Sequence, residues 1–190
     1  MSKYLNFFLI GNGNQSKRIQ KILAKKKIKF FIYSSSKKNK KEIIDDLKSY
    51  NYFDAYFILS PNSTHYFYLK NLPKNKYIFC EKPPVNRIEE YKHIKKMNLS
   101  KVFFNFNFRF SKISEILNQM KKLDLGNLVY ASIISGYGLA FKKNFFNNWR
   151  SKKKNTPKGI FEILTIHWLD LINFHFSVKK YFKPNLLKFS

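Results

Sequence analysis

The sequence predicts an α/β protein whose N-terminal part is a doubly wound parallel sheet. Two observations predict this fold. Short apolar runs of the kind found in buried parallel strands alternate with segments of helical periodicity from residue 4 to residue 106. The first run leads directly into the glycine turn Gly11-Asn12-Gly13, which in such sheets marks a Rossmann-type nucleotide site at the carboxyl end of the strand.

The first strand, turn and helix form a unit typical of dinucleotide binding. A strand is predicted over Tyr4 to Ile10, a helix with one apolar stripe over Lys17 to Lys26, and a second strand over Ile28 to Tyr33. The first glycine permits the tight turn, and the second lets backbone N–H groups approach a pyrophosphate at the helix N-terminus. Ser16 stands at the third position, where a glycine is usual. The predicted cofactor contacts of this turn are Gly11, Asn12, Gly13, Asn14 and Gln15.

The residues after the second strand bear on the choice of cofactor. The acid that usually binds the ribose hydroxyls of NAD is missing there, and hydroxyls and cations stand in its place. Ser34 and Ser36, with Lys37 or Lys38, could accept a 2′-phosphate. The sequence therefore indicates NAD or NADP as the cofactor and favours NADP. The alternative for this run of Ser and Lys is a solvated loop.

The alternation of strands and helices continues along the chain. Strands are predicted over Asp54 to Ser60, 77 to 80 and Lys101 to Phe106, with helices from about Tyr66 to Leu72 and from Arg87 to Met97. One face of the last helix is apolar and consists of Ile88, Tyr91 and Ile94. This order of elements specifies a parallel, doubly wound sheet.

An acid, a lysine and two prolines follow the strand at 77 to 80, in the order Glu81-Lys82-Pro83-Pro84. Pro83 lacks an N–H group and favours an extended conformation at Lys82. Lys82 should therefore lie at a strand end, where open α/β sheets bind their ligands. The alternative is a strand that the two prolines merely terminate.

These residues, with others further along the chain, resemble the Gfo/Idh/MocA superfamily, which is named after glucose-fructose oxidoreductase, inositol 2-dehydrogenase and rhizopine catabolism proteins. The resemblance extends from about Leu5 to Phe176, and the order and spacing of the matching residues make it specific. They are the glycine turn, Ser60-Pro61-Asn62 with His65, the Glu81-Lys82-Pro83 corner, Asn107-Phe108-Arg109-Phe110, Gly126 after a helix, Trp149-Arg150, and Gly159 with His167 and Asp170.

The resemblance implies an NAD(P)-binding Rossmann domain over residues 1–103 and, at 104–190, the start of an α+β substrate and oligomerisation domain built around an open, mostly antiparallel sheet. A strand over Asn127 to Gly136 would belong to that second sheet. Relative to the family the second domain would be incomplete, since the chain ends soon after His167.

The activity that the resemblance implies is that of an NAD(P)-dependent oxidoreductase acting on CH–OH groups. It would transfer a hydride between the nicotinamide and a secondary hydroxyl or ketone of a sugar, nucleotide-sugar or cyclitol. By analogy with comparable proteins, this sugar dehydrogenase would serve surface-polysaccharide metabolism.

The resemblance also implies roles for single residues. Lys82 would orient or polarise the reacting oxygen, with a pKa that desolvation can lower, and His167 would be the acid/base. Substrate contacts would come from Lys82, Arg109, Trp149, Arg150 and His167. The further cofactor contacts would be Ser60, Pro61, Asn62, His65, Glu81, Lys82 and Pro83. The alternatives are that His65 is a capping or packing residue and that His167 is a structural histidine of an apolar helix.

Two positions depart from the family pattern. Many members carry an aspartate four residues before the histidine, where this chain has Ile163, and the pattern prefers a glycine at Lys158. Asp170, three residues after His167 and on the same face of a regular helix, is the candidate substitute for the missing catalytic carboxylate. Glu162 would point about 140° away from His167 in such a helix.

The charge balance by itself suggests a polyanionic partner, because 37 Lys and Arg residues stand against 11 Asp and Glu residues, a formal net charge of +26. The enriched residues are those of AT-rich codons, however, and the lysines are scattered along the chain. The preferred interpretation is a solvated surface, since no nucleic-acid-binding signature is present. Two alternative hypotheses stay open: a non-catalytic nucleotide-binding remnant of the family, and a basic nucleic-acid-binding protein.

The remaining features favour a cytoplasmic protein that acts on small molecules. The single cysteine, Cys80, excludes an internal disulfide framework, and the spacing of the four histidines predicts no metal site. Neither a signal peptide nor an apolar run of about 18 residues is present. We therefore expect a sugar-type substrate and no membrane or specific nucleic acid as partner. A homo-oligomer is expected only if the C-terminal sheet is complete enough.

Overall fold

The computed structural model describes residues 5–123, 126, 129–136, 138–153, 155–159 and 161–176. The chain divides into two compact units. The first comprises Met1–Asn105 with Gly138–Ile163, and the second comprises Phe106–Tyr137 with Leu164–Ser190. The contacts thus assign the segment at 138–163 to the first unit, although it follows the expected domain boundary at residue 103.

The first unit is built on a five-stranded parallel sheet with the strand order β2-β1-β3-β4-β5. This confirms the predicted α/β, Rossmann-type fold. Parallel strands joined by helical crossovers are buried on both faces, which explains their near-continuous apolar sequences. The strands are β1 Asn6–Ile10, β2 Lys29–Tyr33, β3 Ala55–Ile58, β4 Tyr77–Glu81 and β5 Val102–Asn105.

Four helices connect these strands: α1 Asn14–Lys25, α2 Lys40–Ser49, α3 His65–Asn71 and α4 Ile88–Ile94. Helix α1 begins three residues earlier than predicted, because Gly13 is its N-cap and the glycine turn leads straight into it. Helix α2 was not predicted from the sequence. A capping box starts it, in which the Asn39 side chain accepts from the Glu42 N–H and the Glu42 carboxylate accepts from the Asn39 N–H.

The core of the first unit has one layer on each side of the sheet. On one side Phe8, Ile10, Tyr56, Ile58 and Ile78 pack against residues of α2 and α3, which are Ile43, Leu47, Tyr68 and Leu69. On the other side the buried core residues are Leu9, Leu59 and, from α1, Leu23. Alternate residues of each strand thus face opposite layers, and the carboxyl ends of all five strands stay free to present loops on one edge.

Helix α4 is shorter than the predicted helix from Arg87 to Met97, and most of its apolar face is exposed. Only Ile94 is buried, whereas Ile88 and Tyr91 are 59% and 51% exposed. The helix spans two turns and ends at Ile94, so that a single residue of the expected stripe reaches the core.

The second unit contains two α-helices among its described residues. Helix α5 spans Lys112–Lys122 and helix α6 spans Ile166–His175. The Ser114 hydroxyl and His175 Nε2, both buried, are 2.8 Å apart and connect the two helices.

The strand predicted over Asn127 to Gly136 is not formed in its described part. Residues 127 and 128 lie outside the described residues, and residues 129–136 have no strand structure. A strand needs a hydrogen-bonded neighbour. Val129 and Ile134 are almost fully exposed, at 95% and 99%, so this apolar segment is not packed against a partner.

No helix within the described ranges has both the length and the apolar character needed to cross a membrane.

The loop before β4 contains a lysine whose burial should lower stability. Nζ of Lys74 is buried without a hydrogen-bond partner among the described residues, and burial lowers the pKa of this amine to about 8. We expect Lys74→Met to raise the free energy of unfolding at pH 7 by about 1 kcal/mol, as measured by urea denaturation. The exposed Lys70→Met on α3 is the matched control and should change little.

The pH dependence of this gain follows from the sign of the shift. Between about pH 8 and pH 10.5 the unfolded chain keeps the proton that the folded protein has lost, so wild-type stability rises with pH. The advantage of Lys74→Met should therefore shrink over that window. A stability difference independent of pH would contradict the assignment to this amine.

Candidate nucleotide site

A cavity of about 340 Å³ lies at the carboxyl ends of the parallel strands, within the first unit. The turn after β1, the turn after β3, the end of β4 and the segment at 148–163 form its walls. Its lining residues are Gly11, Asn12, Gly13, Asn14, Gln15, Leu59, Ser60, Pro61, Asn62, Glu81, Lys82, Asn148, Arg150 and Ile163. The structure thus brings together most of the predicted cofactor contacts.

The two glycines of the first turn meet different requirements. Gly11 has φ +105°, its N–H donates to the Tyr33 carbonyl at 2.8 Å, and a Cβ added there would lie 2.9 Å from the carbonyl oxygen of Leu59. Only glycine fits this position without strain. A Cβ at Gly13 would meet no atom within 4 Å. Gly13 therefore leaves open space in front of the N-terminus of α1, where backbone N–H groups can approach an anion.

Lys82 extends from the end of β4 toward the segment at 161–165, which is a π-helix. Its Nζ donates to the carbonyl oxygens of Ile163 at 2.6 Å and Glu162 at 3.1 Å. Burial lowers the pKa of Lys82 to about 8, against the opposing charge of Glu81 and with a smaller lowering contribution from Arg150. This amine, at the cavity wall, therefore changes its charge near pH 8.

The side chain of Glu81 connects the first turn of α1 to the end of strand β5. Its Oε1 accepts hydrogen bonds from Nε2 of Gln15 at 3.0 Å and from Nδ2 of Asn105. Burial raises the pKa of this carboxyl, while the two amides and Lys82 favour its charged form. Glu81 thus anchors the first turn of α1 beside Lys82.

The turn after β3 brings Ser60, Pro61 and the buried Asn62 to the cavity. His65 and Pro83, both predicted cofactor contacts, lie outside the cavity lining. The ring of His65 is fully buried, with Nδ1 2.7 Å from the Pro83 carbonyl oxygen and Nε2 2.9 Å from the Ser60 carbonyl oxygen.

The predicted 2′-phosphate contacts also lie outside the cavity lining, in the loop after β2. The hydroxyls of Ser34 and Ser36 are 3.3 Å apart, and Lys37 is exposed. Lys38, the alternative cation, donates to Asp46 at 2.6 Å, and the Tyr33 hydroxyl donates to the same carboxylate. The sequence interpretation missed Asp46, since it lies on the unpredicted helix α2.

The segment at 138–163 adds Asn148 and Arg150 to the cavity. Arg150 was predicted as a substrate contact, and Asn148 was not predicted. Trp149 lies in the same short turn, Trp149–Ser151, and its side chain is outside the part of the chain that the structure describes. No sequence pattern identified Asn148, because nothing in the sequence indicates that this segment packs on the first unit.

Glu162 is buried, and its Oε1 accepts from the Lys158 N–H at 3.0 Å. The predicted direction of its side chain assumed an α-helix. Because residues 161–165 form a π-helix, the rotation of 100° per residue does not apply there.

The other predicted site residues lie in the second unit. His167 is buried in α6, and its ring stacks on Phe108 with centroids 4.7 Å apart. The guanidinium of Arg109 binds the Asp170 carboxylate through Nε at 2.7 Å and through Nη2. The proposed catalytic carboxylate and one proposed substrate contact are therefore paired with each other.

Comparisons with known proteins agree with this arrangement. Residues 10–102 match the model of an oxidoreductase family, described as having an NAD-binding Rossmann fold. A comparison with curated protein sequences finds no match.

Several solved structures share the fold. A structure from Desulfitobacterium hafniense, described as that of an assigned NADPH-dependent oxidoreductase, has a TM-score of 0.64 and 18% identity to this chain. The match covers 92% of this chain and 55% of that one. The WlbA (WbpB) dehydrogenase from Thermus thermophilus, in complex with NAD and UDP-GlcNAcA, has a TM-score of 0.63 and 16% identity, covering 91% and 63%. The same enzyme with NAD and α-ketoglutarate has a TM-score of 0.64 and 18% identity, with the same coverage. The present chain thus spans less than two thirds of the length of these structures.

Proposed function

We propose that this chain, whose residues 10–102 form the NAD-binding Rossmann fold of the Gfo/Idh/MocA oxidoreductase family, is an NAD(P)-dependent oxidoreductase acting on a sugar-type substrate. The observation that carries the proposal is the open space at Gly13, between the N-terminus of α1 and Lys82. A dinucleotide fits there because Gly11 permits the tight turn and the residues after it, Asn12 to Gln15, can offer backbone N–H groups to a pyrophosphate.

The cofactor would supply the hydride acceptor or donor. The turn from Gly11 to Gln15 would surround its pyrophosphate, with Asn12 to Gln15 offering the backbone N–H groups, and Ser60, Pro61 and Asn62 would line the half that carries the nicotinamide. Lys82 would contact the reacting oxygen of the substrate. Two of its N–H groups already point at the carbonyls of Glu162 and Ile163, so the protonated amine has a third N–H to donate to that oxygen.

His167 would exchange the proton of the substrate hydroxyl, since imidazole titrates near neutral pH. Asp170 would take the place of the catalytic carboxylate that is missing at Ile163, and its side chain would do so while bound to the Arg109 guanidinium. Arg150, which lines the cavity, would be a further substrate contact.

A sugar or nucleotide-sugar is the proposed substrate class. Support comes from the sequence resemblance and from the fold shared with the Thermus thermophilus dehydrogenase, which is described in complex with NAD and UDP-GlcNAcA. Arg150, a permanent cation at the cavity, suits a negatively charged or hydroxyl-rich ligand.

Binding of the cofactor to the purified chain is the first test. Isothermal titration calorimetry should give micromolar or tighter binding of NAD(H) or NADP(H). Absorbance of the reduced nicotinamide is then followed during a screen of sugars, cyclitols and nucleotide-sugars. No cofactor binding to folded protein would refute the proposal. Binding without turnover of any substrate class would favour a non-catalytic nucleotide-binding protein.

Preference for NADP over NAD is proposed to depend on Lys37. Because Lys38 is held by Asp46, Lys37 is the cation of this loop best able to reach a 2′-phosphate. Lys37→Ala should weaken NADP(H) about ten-fold, the loss of one charge-assisted contact, and leave NAD(H) affinity unchanged. The exposed Lys25→Ala on α1 is the control. Equal losses for both cofactors, or tighter binding of NAD(H) by the wild type, would refute this preference.

A further inference from the structure

His65 does not line the cavity but contacts the backbone of two segments that do. It is the first residue of α3 and is 0% exposed. Nδ1 lies 2.7 Å from the carbonyl oxygen of Pro83, directly after Lys82, and Nε2 lies 2.9 Å from that of Ser60. Ser60 and Lys82 themselves line the cavity. The imidazole thus lies between two turns that carry cavity-lining residues. We call them the Ser60 corner, which comprises Ser60 to Thr64, and the Lys82-Pro83 corner.

Both partners of this imidazole are acceptors. A neutral ring has one N–H and can donate to either carbonyl, whereas a protonated ring can donate to both. Burial lowers the pKa of His65, against the two carbonyls and with a contribution from the charge of Lys82. A buried ring of fixed size between two carbonyl groups sets the distance between the corners, and its hydrogen bond holds at least one of them.

A second set of bonds stiffens the Ser60 corner. The hydroxyl of Thr64 donates to the Pro61 carbonyl at 2.7 Å and lies 2.6 Å from the Ser60 hydroxyl. These hydrogen bonds make the Ser60 corner rigid. A displacement of the His65 ring should therefore move Ser60, Pro61 and Asn62 together rather than one side chain.

We propose that His65 is a positioning residue, whose imidazole donates to one of the two carbonyls, packs against the other, and so sets the spacing of the Ser60 corner and the Lys82-Pro83 corner in the half of the site that receives the nicotinamide. This inference rests on the proposed function. It assigns His65 no contact with the cofactor, in contrast to its predicted role as a cofactor contact.

The test compares binding of the whole reduced cofactor with binding of ADP-ribose, which lacks the nicotinamide. ADP-ribose keeps the pyrophosphate and the adenosine but lacks the nicotinamide ring, so its binding should depend less on the Ser60 corner than binding of the whole cofactor does. His65→Phe keeps a buried ring without nitrogen atoms, and His65→Asn keeps one side-chain donor. The exposed His93→Phe on α4 is the control. Kd values for both ligands are measured by calorimetry below the Tm of each variant.

We expect His65→Phe to weaken the reduced cofactor about ten-fold more than ADP-ribose, as small displacements of positioning groups do. His65→Asn should show a smaller difference and His93→Phe none. A merely structural role would weaken both ligands equally. That outcome, or equal behaviour of the Phe and Asn variants, would overturn the proposal. If His65→Phe does not fold, an unchanged ratio in His65→Asn overturns it.

Failure of the proposed function is distinguishable from failure of this inference. If the wild type binds neither ligand, the oxidoreductase proposal fails, and His65 is judged by amide hydrogen exchange of the ligand-free protein. His65→Asn should then speed exchange at Asn62 and Lys82 about ten-fold relative to β1. Uniform or unchanged exchange would overturn the role of His65.

Discussion

Replacing Lys82 by methionine should lower turnover by about 10²-fold or more, while the Kd of the cofactor changes by less than about three-fold. Methionine keeps most of the side-chain volume and removes the amine that donates to the carbonyls of Glu162 and Ile163. In our proposal the third N–H of that amine contacts the reacting oxygen, so its loss affects the transition state more than cofactor binding. Steady-state kinetics and calorimetry measure the two effects separately.

The same residue should set a limb of the pH profile. Since the pKa of Lys82 is lowered to about 8, the protonated amine loses its third N–H as the pH rises through that value. Turnover of the wild type should therefore fall above about pH 8, and residual turnover of Lys82→Met should lack this limb. Lys74→Met is the matched control, because burial lowers the pKa of Lys74 to a similar value. Turnover of Lys82→Met within three-fold of the wild type would remove Lys82 from the mechanism.

The sheet and the site at its edge could largely be predicted from the sequence. Apolar runs reveal buried parallel strands because both faces of such strands are covered. The glycine turn and the Lys82-Pro83 corner follow strands directly, and parallel topology brings strand ends to one edge. Residues adjacent to strand ends, such as Gly13, Asn62 and Lys82, therefore line the same cavity.

Features that depend on packing over long sequence distances could not be predicted. Helix α2 has only Ile43 and Leu47 as buried residues, so its periodicity is weak and its capping box is the stronger signal. Asn148 reaches the cavity through the packing of its whole segment. For His65 the sequence left a cofactor contact and a packing residue as alternatives, because a buried ring between two carbonyls leaves no pattern in sequence.

Replacing Gly13 by leucine should abolish cofactor binding while the protein stays folded. A Cβ at Gly13 meets no atom within 4 Å, and its φ of −80° suits any residue. The side chain would instead fill the space through which a pyrophosphate approaches the N-terminus of α1. We expect cofactor affinity to fall about 10²-fold or more, since the loss removes several backbone hydrogen bonds at once. The free energy of unfolding should fall by about 1 kcal/mol or less.

Gly11→Ala is the matched control, because it changes the other glycine of the same turn for a different physical reason. Its φ of +105° and the approach of a Cβ to within 2.9 Å of the Leu59 carbonyl oxygen predict a fold destabilised by about 2 kcal/mol or more. Urea denaturation should thus separate the two variants, with Gly11→Ala losing stability and Gly13→Leu losing binding. Unchanged calorimetric binding in a folded Gly13→Leu variant would mean that the cofactor does not bind at this turn, and the nucleotide site would have to lie elsewhere.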